Sequence, residues 1–261
     1  MAYISPTLTL MTGAVKKAAS ALGRDFNELE HLQNSVRGDK GFAQHAYDKV
    51  LKILHEELSK IKAGLPIIAS DKDVVPASNT YFAVCAIDGF DNFAHGNADF
   101  AVSVALIESG KVVDAVVYSP ITDEMFFAEK GCGAFKEGFR NHERLRVASA
   151  KNADKALFAC GADARIVNNV LALTQNVRIS GVSSLDLAYL SAGKIDAAAV
   201  STAQIGKIAA GVLLVKEAGG YVFEIGQTDV RSENLEKTLV SGNLFATNEA
   251  LKQKIAEILA K

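Results

Sequence analysis

The sequence predicts an α+β first half that passes into an α/β second half near residue 150, and three observations carry this. Residues 6–22 and 40–61 hold apolar side chains at spacings of three and four, the period of a helix with one buried face. Between residues 81 and 149 the apolar residues fall in short β-rich segments separated by turn residues. From about residue 151 strand-like and helix-like patterns alternate. The halves are therefore drawn at 1–150 and 151–261, together one compact unit. A chain of 261 residues buries a large core.

Each element follows from its local pattern. In the helix at 40–61, Phe42, Ala46, Val50, Ile53 and Leu54 form the expected buried stripe. Residues 81–87 form a strand that runs into a sharp turn. Residues 100–108 and 112–119 are strands split by Ser109-Gly110-Lys111. A hairpin around 120–128 and strands at 131–135 and 145–149 complete an antiparallel sheet. In the second half, 157–160, 177–180 and 195–200 read as strands, and 165–175, 183–192 and 206–218 as helices. Gly219-Gly220 stops the last of these. Ser183, followed three residues later by Asp186, predicts a capping-box start for its helix. A helix over 248–260 closes the chain.

Composition excludes several classes. Apolar residues make up 49 % and charged residues 22 %, the balance of a folded globular chain and not of a disordered one. A net charge of −2 gives no electrostatic reason to expect direct nucleic-acid binding. Cys85, Cys132 and Cys160 are odd in number and unrelated in spacing, so no disulfide framework or metal-binding pair is expected. That usage fits a reducing cytoplasm. Residues 4–15 are mildly apolar but lack a basic leader and contain Pro6, which favours a first amphipathic helix over a secretion signal. No apolar run approaches the roughly 20 residues of a membrane span, so no membrane partner is expected.

The richest stretch is Ile87-Asp88-Gly89-Phe90-Asp91-Asn92-Phe93-Ala94-His95-Gly96. It resembles the signature of the inositol monophosphatase family, Asp-Pro-Ile-Asp-Gly-Thr-Thr-Asn-Phe followed by His-Gly. Cys85 stands for the first Asp, Ala86 for the Pro, and Phe90 and Asp91 for the two Thr. Downstream, Val116-Val-Tyr-Ser-Pro-Ile-Thr-Asp-Glu-Met125, Ala128-Glu-Lys-Gly-Cys-Gly-Ala-Phe135, Leu185-Asp-Leu-Ala-Tyr-Leu-Ser-Ala-Gly-Lys-Ile-Asp196 and Glu217-Ala-Gly-Gly220 follow in the family's order and spacing. The resemblance implies a five-layer α-β-α-β-α sandwich, a homodimer, and hydrolysis of small phosphorylated polyols with two or three Mg²⁺ ions. Such ions need near-octahedral oxygen coordination and several carboxylates to balance their charge.

Carried over residue by residue, the ligand set is depleted. The family's Glu before the signature strand falls on Ser70, with Asp71 one place away as a possible substitute. Its first signature Asp is Cys85, its second is Asp88, and Ile87 keeps the carbonyl that the family uses. The Asp opening a later helix falls on Lys207, after Gly206 in place of a Trp. Farther out, an upstream Asp becomes Tyr47 and a substrate-contacting Glu becomes Val200. Ser70, Cys85, Asp88 and Lys207 therefore sum to zero charge where four carboxylates would carry −4. The reading predicts that the Lys207 ammonium takes a vacated metal position and pairs with Asp88. If a metal binds at all, Asp88, the Ile87 carbonyl and Asp71 are its candidates.

The phosphate side is altered as well. Gly89 keeps the turn, but Phe90 replaces a hydroxyl that the family uses to orient water. Asp91 sets a carboxylate beside the anion site, or alternatively caps the Asn92-Phe93 turn. The sugar-side loop Gly181-Val182-Ser183 has Val182 where a Thr is common. Cys85, at the end of a buried strand with no neighbouring His, reads as an inert small hydrophobe. His95 reads as structural, and His45 and His55 lack the spacing of a helical metal pair.

The functional expectation is a family member with lost or greatly reduced Mg²⁺-dependent hydrolysis, without a cofactor, acting as a binding or regulatory protein. Ser70, Phe90 and Lys207 are then vestigial catalytic positions. The bacterial suppressor branch that the chain resembles also associates with transcription-antitermination factors, which implies a protein partner. Two alternatives stay open: a working Mg²⁺-dependent inositol or sugar phosphatase, and a metal-independent binder of a small anion at Lys207.

Overall fold

The computed structural model describes residues 4–31 and 40–261. The first half contains helices α1 (Pro6–Ala19), α2 (Leu22–His31), α3 (Lys40–Ile61) and α4 (Phe90–Ala94). Its strands are β1 (Ile67–Ile68), β2 (Tyr81–Asp88), β3 (Ala101–Glu108), β4 (Lys111–Ser119), β5 (Glu124–Glu129), β6 (Gly133–Lys136) and β7 (Glu143–Arg144). The second half contains β8 (Phe158–Cys160), α5 (Ala164–Leu171), β9 (Val177–Arg178), α6 (Ser183–Ser191), β10 (Ala197–Ser201) and α7 (Ala209–Glu217). It ends with β11 (Tyr221–Glu224), α8 (Leu235–Ser241), β12 (Asn243–Thr247) and α9 (Lys252–Leu259).

Strands β1 to β7 lie in sequence order in one sheet, antiparallel except for the parallel β1–β2 pair. The second sheet has the order β11-β12-β10-β8-β9, with β8 parallel to both β10 and β9. Period-two burial explains how the layers stack. On one face of the first sheet, Phe82, Val84, Val104 and Val116 pack against Met11, Val15, Val50 and Leu54 of α1 and α3. On its other face, Ala83, Ala105 and Val117 meet α6 and α7, which also cover Ala198, Val200 and Ala246 of the second sheet. Phe158, Ala199, Phe223 and Phe245 then face outward against Ile166, Val170, Ile255 and Leu259 of α5 and α9. The result is five layers, α-β-α-β-α.

The central layer accounts for the composition of its helices. Seven consecutive residues of α7, Ala209 to Val215, are buried, as expected for a helix covered by a sheet on each side. Among the described residues, no helix is long and apolar enough to cross a membrane.

Several expected elements differ. The first helix stops at Ala19, where the Ser20 hydroxyl donates to the Lys17 carbonyl, and α2 is a separate helix. The stripe of α3 runs through Ala43, Ala46, Val50, Leu54 and Leu58, with Phe42 and Ile53 only partly buried at its margins. Residues 145–149 form no strand. Isolated bonds hold them instead, among them Leu145 N–H to the Ala134 carbonyl, Val147 N–H to the Ala218 carbonyl and the Asn248 amide to the Ala148 carbonyl, while Leu145 is buried. The 206–218 helix divides into a single 3-10 turn, Ile205–Lys207, and α7. The helices expected at 165–175 and 248–260 are the shorter α5 and α9. The predicted capping box does not form either. Val182 occupies the N-cap of α6, and Asp186 accepts from the Ser180 hydroxyl at 2.8 Å.

The division at Gly206 places the site. A Cβ at this residue would overlap the Val84 carbonyl and come within 3.0 Å of the Cys85 nitrogen. Only glycine lets the turn press on β2 and deliver Lys207 beside the end of that strand. Gly206→Ala is therefore expected to lower stability by about 3 kcal/mol through overpacking, as read from urea unfolding midpoints.

Candidate functional site

The site is built where β2 ends. Asp88, its last residue, is fully buried, and Gly89 turns the chain into α4 with φ of +86°. A Cβ at Gly89 would lie 2.7 Å from the Asp99 carbonyl oxygen, so both conformation and space require glycine. Asn92 then ties this turn to the other half. Its amide donates to the carbonyls of Asp99 and Ser180, each at 2.8 Å. That link brings the loop before α6 against the end of β2.

Asp88 is held from two sides. Its Oδ2 accepts the backbone N–H and the hydroxyl of Ser184, both at 2.8 Å, in the first turn of α6. Those N–H groups have no partner inside the helix, and the positive end of its dipole favours an anion. Oδ1 accepts no hydrogen bond, and the Lys207 ammonium lies 3.7 Å from it as an ion pair. Burial pushes the Asp88 carboxyl above its ordinary range, while Lys207 and the donors of Ser184 pull the other way. The Lys207 side chain retains 29 % exposure, so water reaches the cation from the cleft.

The remaining positions are apolar or turned away. Cys85 is buried, and loss of hydration beside Asp88 pushes its thiol far up, leaving it neutral and unreactive. Tyr47 donates to the Ala69 carbonyl at 3.4 Å and sets its ring against Phe90 with centroids 6.3 Å apart. Burial raises its hydroxyl to about 12. Tyr47 and Phe90 thus wall one side of the cleft. Asp73 closes the loop that carries Ser70, accepting the N–H groups of Ala69 and Ser70 at 2.7 and 2.8 Å. Asp71 lies exposed on that loop, and the loop's bonding falls to Asp73.

On the phosphate side, Asp91 sits inside the first turn of α4, whose N-cap is Gly89, so it does not cap that turn. Its carbonyl accepts from the His95 backbone N–H, and a ring nitrogen of His95 lies 2.8 Å from it, which gives His95 a structural role. Val182 is buried, with a methyl close against Gly89; Gly181 is exposed and Ser183 partly buried. Val200 packs in the middle layer.

These residues do not fit a Mg²⁺ centre. Among the described residues, no three His, Cys, Asp or Glu side chains are close enough to hold a metal ion. One carboxylate is present, one of its oxygens is taken by Ser184, and the other faces a cation. A neutral thiol is a poor ligand for so hard an ion. The residues missed from sequence were Ser184, Asn92, Ser180 and Asp73. Two had a readable signal: Asn92 as part of the signature stretch, and Ser184 as a hydroxyl in the first turn of a predicted helix.

The sequence profile of the inositol monophosphatase family matches residues 5–261. An inositol-1-monophosphatase of Mesorhizobium japonicum is 33 % identical, the match covering 98 % of this chain and 97 % of that one. A Nus factor SuhB of Xylella fastidiosa is 29 % identical over 97 % of this chain and 94 % of its own. The crystal structure of the extragenic suppressor protein suhB from Bartonella henselae superposes with a TM-score of 0.83 at 32 % identity, covering 99 % of this chain and 100 % of that one.

Asp186 supplies a pH test of this packing. Burial raises its carboxyl from 3.8 to about 7, with the Ser180 hydrogen bond opposing the shift. The folded state then holds a proton that the unfolded chain releases, so stability falls as pH rises from about 4 to 7. Asp186→Asn is expected to flatten that fall by up to about 1.4 kcal/mol per pH unit, measured by urea unfolding across a pH series.

Proposed function

The chain belongs to the inositol monophosphatase family, and on that footing we propose that it has given up Mg²⁺-dependent hydrolysis and serves as a binding or regulatory protein. The observation that carries this reading is the Lys207 ammonium 3.7 Å from Asp88 Oδ1. Two unit charges 4 Å apart interact by about 4 kcal/mol at an effective dielectric of about 20. A divalent ion entering here would lose attraction where the family's carboxylate stood and meet repulsion from Lys207. It would also have to compete with Ser184 for the one carboxylate left.

The surviving parts support binding. The turn at Gly89, the Asn92 tether and the α6 start keep the cleft's frame, and Lys207 gives it a cation reached by solvent. A relative named as a Nus factor is a precedent for a regulatory role on this fold. On this reading the chain works in the cytoplasm as a homodimer that engages a protein partner and needs no metal.

The names of the relatives favour a second reading. Inositol-1-monophosphatases at 33 and 34 % identity make a working Mg²⁺-dependent phosphatase the activity that overall similarity would assign. It would require Lys207 to swing away and Asp88 to leave Ser184.

Hydrolysis of inositol 1-phosphate across a Mg²⁺ titration separates the two. The expected outcome is no turnover above the blank and no Mg²⁺-dependent rise in Tm, since an ion that does not bind the native state cannot stabilise it. The Cys85→Asp/Lys207→Asp variant, with the cation removed and two carboxylates returned, is expected to gain such a rise. Turnover by the unaltered chain that a chelator abolishes would establish the second reading.

A further inference from the structure

We infer that the chain carries a second ligand site, remote from the cleft, for a small acidic amphiphile: an acid group joined to an apolar body. The site is a cavity of roughly 620 Å³ enclosed by the β3–β4 turn, the last turn of α7 and the segment that leads through α8. That volume is typical of small-molecule pockets. Its position separates it from the cleft. Asp88 pairs with Ala101 at one end of β3, while the cavity borders Gly110 and Lys111 beyond the other end. Seven residue steps along that strand span roughly 23 Å.

The lining fits this class. Val112, Val212, Leu213, Leu235 and Leu239 supply an apolar floor. Lys111 and Lys130 are exposed at the edge and have no ion-pair partner among the described residues. Of the acidic side chains in the lining, Glu233 has a cation partner, while Glu217 and Glu236 meet neutral N–H groups and keep their charge. Glu217 accepts the Gly131 and Gly133 N–H groups with separate oxygens at 2.8 and 2.9 Å. Glu233 pairs with Lys216 and accepts the Val222 N–H. Glu236 lies 3.5 Å from the Asn79 amide. Lys216 is held by Glu233 and the Gly220 carbonyl, so the two exposed lysines are the cations available to a ligand.

An acid group at Lys111 and Lys130 would place its apolar body over the leucines and valines. The ligand would then bridge the β3–β4 turn of the first half and α7 and α8 of the second. Binding there is expected to stabilise the native chain, because the bridge exists only when both halves are docked.

Fluorescence titration of the chain with 8-anilinonaphthalene-1-sulfonate tests the inference, with uncharged N-phenyl-1-naphthylamine beside it. Expected are saturable one-to-one binding of the sulfonate, weaker binding of the neutral probe, and a sulfonate-dependent rise in Tm. Lys111→Glu/Lys130→Glu, both at exposed positions, should weaken the sulfonate at least tenfold with an unchanged Tm of the free protein. Lys207→Gln should leave its affinity as it was. Equal binding of both probes, indifference to the charge reversal, or loss of binding in Lys207→Gln would each overturn the inference. The last result would place the anion in the cleft, and none of them bears on whether the chain hydrolyses phosphate esters.

Discussion

One buried carboxylate organises the site. Asp88 ends β2 with no exposure to solvent, and an isolated charge there would cost several kcal/mol. The fold offsets that cost in two ways, with the N–H and hydroxyl of Ser184 on one oxygen and the Lys207 cation near the other. Neither partner is local. Ser184 stands 96 residues away in sequence, so Asp88 is satisfied only when both halves are docked. Breaking such a pair by removing one partner costs about 3–5 kcal/mol, because a charge is left buried and unmatched. The ion pair therefore weighs in folding as well as in chemistry.

The surrounding architecture exists to place those partners. The central layer of α6 and α7 is buried on nearly every face and lies between the two sheets. α6 aims its first turn at Asp88, and the turn before α7 delivers Lys207 because Gly206 lets the backbone press on β2. Asn92 closes the third side by hydrogen-bonding the Ser180 carbonyl. The cleft is a product of layer packing, and its chemistry changes through single side chains while the layers stay in place. This explains how the family fold is kept whole around a site that pairs Asp88 with Lys207.

Much of this was legible in the sequence, and what was not has physical reasons. The helix over 40–61 has the predicted bounds, because twenty-two residues of regular apolar spacing leave little ambiguity. The strand at 81–87 and the cation facing Asp88 were also readable, the latter by carrying family positions onto Lys207. Strands β11 and β12 and helix α8 were missed. They are short, at 4, 5 and 7 residues, and too brief to show a period. The strand expected at 145–149 shows that alternation of apolar residues can reflect packing without ladder pairing. The capping box failed because Ser180, six residues before Asp186, took its carboxylate in place of Ser183. Asp73 acts through contacts that no local pattern announces.

Whether Lys207 keeps divalent ions away from Asp88 can be seen in crystals soaked in millimolar Mn²⁺, an anomalously scattering analogue of Mg²⁺. Expected are no anomalous peak beside Asp88 and a lysine ammonium resolved next to Oδ1. A peak about 2.1 Å from Asp88 Oδ1, with oxygen ligands around it and Lys207 rotated into solvent, would contradict it.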